Sequence, residues 1–387
     1  MKKKTIGMIW GMLCINIISG CGQEDTIARG TDYVLEEDSQ PGMSMMSELA
    51  EGEKGYYMEA VSEKLCFYDK KSGKTHPLCN KPQCTHESLE CNAFFSTGPL
   101  KYYRGDIYTL QSDMNEPYDI YLYRYKGDGS GKEKLYRVRH VEEGEGYSEL
   151  LGGCIHRGYF YYEWNGEKES TLYRRAIDKN AKEEVIETFS GLSEGQYLSG
   201  EVYAAGTKVY YAMEYRKNHS TDLISYDIQS GETKKELEGI KNLYDYTMDG
   251  TTLYYSTDKA VYEKDLETEK VTEFSKLPEG KAVALELDKN YLVLDTFLQT
   301  SQEIYRADGY SDKEPDAWYK DRKVYIHERK TKKEIAQIPI SHDSTTALAQ
   351  GVLIDNYNFG DTFSILPQEE WTGSQKWKTI YQDSETE

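Results

Sequence analysis

Cys79, Cys84, His86 and Cys91 fall within thirteen residues, spaced Cys-x4-Cys-x-His-x4-Cys. Three thiolates and one imidazole make a closed tetrahedral set suited to structural Zn²⁺. In an extended segment Cys84 and His86 point to one side, and Asn80 and Pro82 favour a turn that brings Cys79 back. The spacing is not that of the usual zinc knuckle. A disulfide, Cys79 or Cys84 with Cys91, stands equally open in an oxidising compartment. Either way the segment staples a loop, because a full set of four ligands leaves no position for a reacting water.

Cys21 carries a different chemistry. Lys2, Lys3 and Lys4 precede an apolar run from Ile6 to Ile18, and Ile18-Ser19-Gly20-Cys21 closes it. A basic start, a short apolar stretch and small residues before a cut read as an export signal, too short for a membrane-spanning helix. The ending resembles the bacterial lipobox, whose cysteine thiol takes diacylglycerol and becomes the new N-terminus. The expectation is removal of residues 1–20 and lipidation of Cys21. An acidic tether over 21–53 would follow, with one short strand at Thr31–Leu35, and then a domain over 54–387. That places the chain on the extracytoplasmic face of a cell membrane, held by its lipid. Cys66 and Cys154, inside aromatic strand segments, read as small buried hydrophobes rather than a bridged pair.

Other look-alikes carry less. Gly191-Leu192-Ser193-Glu194-Gly195 fits G-x-S-x-G, but loop and strand follow it where a nucleophile elbow needs a helix. Ser341-His342-Asp343-Ser344 holds three triad residue types as sequence neighbours, which seldom converge. Gly127 to Lys132 lacks the helix of a phosphate loop and reads as a hairpin tip. His140, His156, His219 and His327 read as packing or surface residues. The run from Tyr159 to Trp164 reads as packing more than as a sugar platform. The long loops, Ser112–Pro117, Trp164–Ser170, Tyr215–Asp222 and Phe297–Trp318, are the candidates for a binding face.

The chain has 387 residues with a formal net charge of -20, and the leader removes three lysines and no acids. Such acidity excludes nucleic acid as a partner and disfavours anionic lipid or wall polymers. Tyrosine reaches 35 residues, a strand former that buries its ring and wets its hydroxyl.

These tyrosines sit in a repeat. A turn glycine opens an aromatic strand at Gly55, Gly105, Gly158, Gly206 and Gly250. A second strand, starting near 65, 122, 172, 223, 261 and 324, then runs into an Asp- or Gly-marked turn. A period of about 40 to 50 residues holding several short strands predicts a β-propeller. Seven units fit between about 55 and 383, and the 285–320 insert leaves room for six or eight. Ser344–Gln350 is expected to form one helical turn, and the final unit comprises Gly351–Ile354, Thr362–Leu366 and Trp377–Tyr381.

The repeats, the lipobox, the segment Pro77-Leu78-Cys79-Asn80-Lys81-Pro82-Gln83-Cys84-Thr85-His86 and the end around Trp377-Lys378 resemble surface lipoproteins of anaerobic Gram-positive, clostridial-type gut bacteria. Those proteins have TolB-like or YWTD-like propellers. The resemblance covers most of the chain, the cysteine segment being its most specific part. It implies fold and location only, since that family carries no assigned activity. The expected role is a tethered propeller that binds a protein or carbohydrate ligand without turning it over. Two others stand beside it, a carbohydrate-active hydrolase or lyase built on propeller loops and a structural platform for an envelope complex.

Overall fold

The computed structural model describes residues 49–383 apart from 61–62, 97, 114–115, 142–152, 167–168, 179, 191–194, 279–281, 298–321, 342–343 and 358–360. Cys21, the leader and the strand expected at Thr31–Leu35 lie outside the described residues, as do Ser193, His342 and Asp343. Among the described residues no helix is long and apolar enough to cross a membrane.

Seven four-stranded antiparallel sheets follow one another along the chain, each made of four consecutive strands. Blade one is β1 (Leu49–Gly52), β2 (Gly55–Ala60), β3 (Lys64–Asp69) and β4 (Lys74–Pro77). Blade two is β5 (Leu100–Tyr103), β6 (Asp106–Asp113), β7 (Glu116–Lys126) and β8 (Lys132–His140). Blade three is β9 (Gly153–His156), β10 (Tyr159–Asn165), β11 (Glu169–Ala176) and β12 (Glu183–Ser190). Blade four is β13 (Gln196–Ala205), β14 (Lys208–Tyr215), β15 (Ser220–Asp227) and β16 (Thr233–Lys241). Blade five is β17 (Asp245–Asp249), β18 (Thr252–Ser256), β19 (Ala260–Asp265) and β20 (Val271–Lys276). Blade six is β21 (Ala282–Leu287), β22 (Tyr291–Phe297), β23 (Lys323–Glu328) and β24 (Lys333–Pro339). Blade seven is β25 (Ser344–Ala349), β26 (Val352–Tyr357), β27 (Thr362–Pro367) and β28 (Lys378–Gln382).

The aromatic runs explain how these sheets stack. Successive strand residues point to opposite faces, and a propeller blade buries both faces against its neighbours. In β10, Phe160 and Tyr162 pack against blade two, while Tyr161 between them packs against blade four. In β2, Tyr56 and Met58 face blade seven and Tyr57 faces blade two. Consecutive aromatics are therefore the expected signature of a strand buried on both sides. Seven apolar clusters result, one for each junction between adjacent blades.

The ring closes through side chains. Among the described residues no strand is exchanged between the ends, since β1–β4 and β25–β28 are each four-stranded sheets. Met58, Cys66 and Tyr68 of blade one pack instead on Ile354, Phe363 and Ile380 of blade seven. The Thr75 hydroxyl donates to the Ile380 carbonyl at 2.5 Å.

Turn chemistry sets the hairpins. Arg104 and Gly105 have φ of 49° and 82°, and Arg157 and Gly158 have 46° and 83°. Two successive left-handed residues make the primed turn whose twist matches antiparallel strands. After the third strand, Asp69, Asp227 and Asp265 accept backbone N–H groups two or three residues on, at 2.8–2.9 Å.

Two expectations are corrected. Ser344–Gln350 forms no helical turn, because Ser344–Ala349 is the strand β25, paired with β26 from Ser344↔Tyr357 to Ala349↔Val352. Its Thr-Thr centre is strand-forming, and the partner strand decides the conformation. Blade one also begins earlier than residue 54, since Leu49–Gly52 pairs with β2 inside the stretch read as tether.

Candidate metal centre

The segment between β4 and β5 carries the cysteines, and hydrogen bonds at both ends fix its path. Leu78 N–H donates to the Leu65 carbonyl at 2.8 Å, and Asn80 N–H to the Gly129 carbonyl at 3.1 Å, at the tip of the β7–β8 hairpin. On the far side Asn92 Nδ2 donates to the same Gly129 carbonyl at 2.8 Å. Phe95 N–H then donates to Glu63 at 2.9 Å, and Leu65 N–H to Ala93 at 2.8 Å. Leu78, Cys91, Ala93 and Phe95 fill the junction between blades one and two with Leu65, Ile107 and Tyr125. The segment is a wedge between two blades.

Turns, not an extended run, bring the ligands together. Gln83 and His86 have φ of 61° and 63°, so the extended arrangement expected for Cys84 and His86 is replaced by a left-handed bend. Cys84 N–H reaches the Lys81 carbonyl at 3.3 Å, and Cys91 N–H reaches Ser88 at 2.9 Å. One ligand atom from each of Cys79, Cys84, His86 and Cys91 lies within 4.8 Å of all the others. His86 Nδ1 is 3.3 Å from Cys91 Sγ.

The two expected chemistries demand different distances. Zn–S bonds of about 2.3 Å in a tetrahedron put sulfurs about 3.8 Å apart, inside the 4.8 Å that bounds the cluster. A disulfide needs about 2.05 Å, and Cys79, Cys84 and Cys91 are all free thiols. A disulfide would also use two of the four converging groups and leave the rest unexplained. The donor set therefore fits a metal ion bound by three thiolates and an imidazole nitrogen.

Local fields sort the thiols. Burial pushes the Cys91 thiol up to about 11; its neighbours Cys84 and Cys79 add to this, and the Ala93 N–H opposes it. At Cys79 burial also opposes ionisation. The N–H groups of Lys81 and Asn92 and the thiols of Cys91 and Cys84 outweigh it and hold the group below the usual cysteine range.

The remaining candidates are dispersed. Cys66 lies in the junction of blades seven and one and Cys154 in that of blades three and four, both buried and neither in a disulfide. His140 Nδ1 meets Asp119 at 2.6 Å, and His156 Nε2 meets the Gly206 carbonyl at 2.7 Å. His327 packs edge-on to Phe274. Gly127–Lys132 is the β7–β8 hairpin tip, with Gly129 at φ 75°. Phe160 and Tyr162 stack at 4.9 Å inside the core, so that run is packing. Sequence reasoning missed the two groups that hold the cluster in place, Gly129 and Asn92. The hairpin glycine was the available signal.

Fold and site together define a seven-bladed β-propeller with a Cys₃His cluster on the rim between its first two blades. No family model and no curated protein sequence matches the chain. Among solved structures it is similar to a prolyl endopeptidase, at 12% identity and a TM-score of 0.55, over 87% of this chain and 50% of that one. It is also similar to TolB from Acinetobacter baumannii, at 14% identity, a TM-score of 0.40 and coverages of 86% and 77%. A third likeness is to the GH74 xyloglucanase from Xanthomonas campestris, at 11% identity, a TM-score of 0.49 and coverages of 90% and 56%. The chain thus spans half the length of the prolyl endopeptidase it matches. At this identity the likeness shows the fold alone.

Proposed function

We propose that this chain is a zinc-stapled propeller, tethered through lipid on Cys21 to the outer face of a cell membrane, that binds a ligand or partner protein without turning it over. The convergence of Cys79, Cys84, His86 and Cys91 within 4.8 Å carries the reading. The one metal-type donor cluster among the described residues is a complete ligand shell, and such a shell serves structure, because catalysis needs an open position. When bound, zinc would supply the charge that keeps the three thiolates ionised, buried Cys91 among them, and would lock the wedge between blades one and two. The basic-apolar leader ending in Cys21 supports the tether, and the acidic surface suits a soluble, self-repelling domain outside the cell.

Membrane fractionation tests the tether. The Cys21→Ala protein is expected to leave the membrane fraction, and retention at the level of the unaltered chain would contradict lipid attachment. Turnover of a polysaccharide or muropeptide by the purified protein would replace binding with catalysis.

A further inference from the structure

Between blades four and five a groove of about 640 Å³ is lined by Tyr197, Glu214, Tyr215, Arg216, Asn242 and Tyr244 among others. It lies on the face where the turn between a blade's second and third strands meets the linker to the next blade. Three separate stretches of chain build it: the start of β13, the β14–β15 turn and the linker that enters β17.

The groove is held in shape by its backbone. Arg216 N–H donates to the Gly195 carbonyl at 2.8 Å, and Asn242 N–H to the His219 carbonyl at 3.2 Å. Tyr244 N–H donates to Ser256 at 2.9 Å, tying the linker to blade five. His219 and Asn242 both sit in the left-handed region, at φ 51° and 50°. Strain of this kind persists only where the surroundings impose it. The site is therefore preformed, as small-ligand sites usually are.

Its side chains combine flat apolar faces with planar polar edges. Tyr197, Tyr215 and Tyr244 are each partly exposed. The Tyr197 hydroxyl donates to Glu214, and the Arg216 guanidinium lies 4.1 Å over the Tyr197 ring. The Tyr215 hydroxyl is fixed by Asp222 at 3.0 Å. A stacked guanidinium keeps its N–H edge for in-plane hydrogen bonds. The lining holds one carboxylate, Glu214, against one guanidinium, Arg216, inside a chain of net charge -20. The local balance favours an uncharged ligand, and the surrounding acidity disfavours an anionic one.

We propose that this groove binds a neutral oligosaccharide, whose C–H ring faces stack on the tyrosines while its hydroxyls pair with the carboxylate, guanidinium and amide edges. The inference rests on the binding role proposed above and names its ligand class. Isothermal titration of the full chain with maltohexaose, cellohexaose, xylohexaose and mannohexaose tests it, with an uncharged hexapeptide as the competing class. At least one hexasaccharide is expected to bind. Tyr197→Ala is expected to weaken it at least tenfold, and so is Arg216→Gln, an exposed change that keeps the fold. Binding of no hexasaccharide, binding of the peptide alone, or a saccharide affinity within twofold of the parent in Arg216→Gln would overturn the groove assignment. None of these touches the tether, whose failure is read separately in the membrane fraction.

Discussion

At the scale of single residues, position decides what each cysteine does. Cys66 is a buried hydrophobe with a thiol; burial pushes it up to about 12, with the Lys64 ammonium pulling the other way. A thiol reacts as thiolate, so Cys66 should resist iodoacetamide at pH 8 in the folded protein and react only after denaturation. Mass spectrometry of the labelled peptide reads this directly. At the cluster the decisive residue is not a ligand. Gly129 has φ 75°, and a Cβ there would stand 3.0 Å from Cys79 N and 3.1 Å from the Leu78 carbonyl carbon. Gly129→Ala therefore combines left-handed strain of about 1–2 kcal/mol with pressure on the first ligand. The expected outcome is a lower melting midpoint and faster release of metal to a chelator. An unchanged release rate would detach the hairpin tip from the cluster. The four ligands were legible because they crowd thirteen residues. The choice between metal and disulfide was not, because it turns on distances that left-handed bends at Gln83 and His86 create. The groove was hidden for a related reason. Tyr197, Tyr215 and Tyr244 are far apart in sequence, and only the loop holding Tyr215 stood out.

At the scale of strands and turns, the second and third strands of most blades were the readable ones, because both faces are buried and both are therefore aromatic or branched; β22 of blade six, inside the insert left open, was the exception. The innermost strands were less readable. Leu49–Gly52 has four residues with no alternation, and Ser344–Ala349 mixes small and polar residues. Their conformation comes from the partner strand. One inner-strand residue also sets an acid response. His156 ends β9 with no exposed surface, and burial pulls it down to about 4; the Gly206 carbonyl opposes this and Arg157 adds to it. The unfolded chain takes up that proton near pH 6.5 and the folded chain does not. Stability should therefore fall as pH drops from about 6.5 to about 4, by about 3 kcal/mol. Urea midpoints at pH 7 and pH 5 should converge in His156→Gln. An equal drop in both proteins would remove His156 as the cause. The turn carboxylates Asp69 and Asp265, held low by backbone N–H groups, act below that window, losing their contribution as pH falls under about 4.

At the scale of the whole molecule, seven junctions carry the fold, and the one between blades seven and one differs in joining the two ends of the described chain. With no strand exchanged among the described residues, side-chain packing and the Thr75–Ile380 hydrogen bond close it. Phe363 lies in this junction with no exposed surface, and Phe363→Ala should cost about 3–5 kcal/mol. Differential scanning calorimetry should show the midpoint of the entire transition moving down. A separate early transition with an unmoved main peak would mean the ring does not depend on this closure. The repeat pointed to seven blades, with six or eight left open at the 285–320 insert, because most blades write an aromatic-rich strand pair into the sequence. What the ring binds is written nowhere in that repeat, since blades of the same build place different side chains on their linking turns.

The central claim is that Cys79, Cys84, His86 and Cys91 hold a metal ion that staples the first blade to the second. Metal content and free thiols, measured on protein purified without added zinc or oxidant, test it most directly. The account predicts about one zinc per chain, with three thiols that titrate only after chelation. A metal-free protein in which a pair of these thiols appears only after reduction would contradict it and make the segment a disulfide staple.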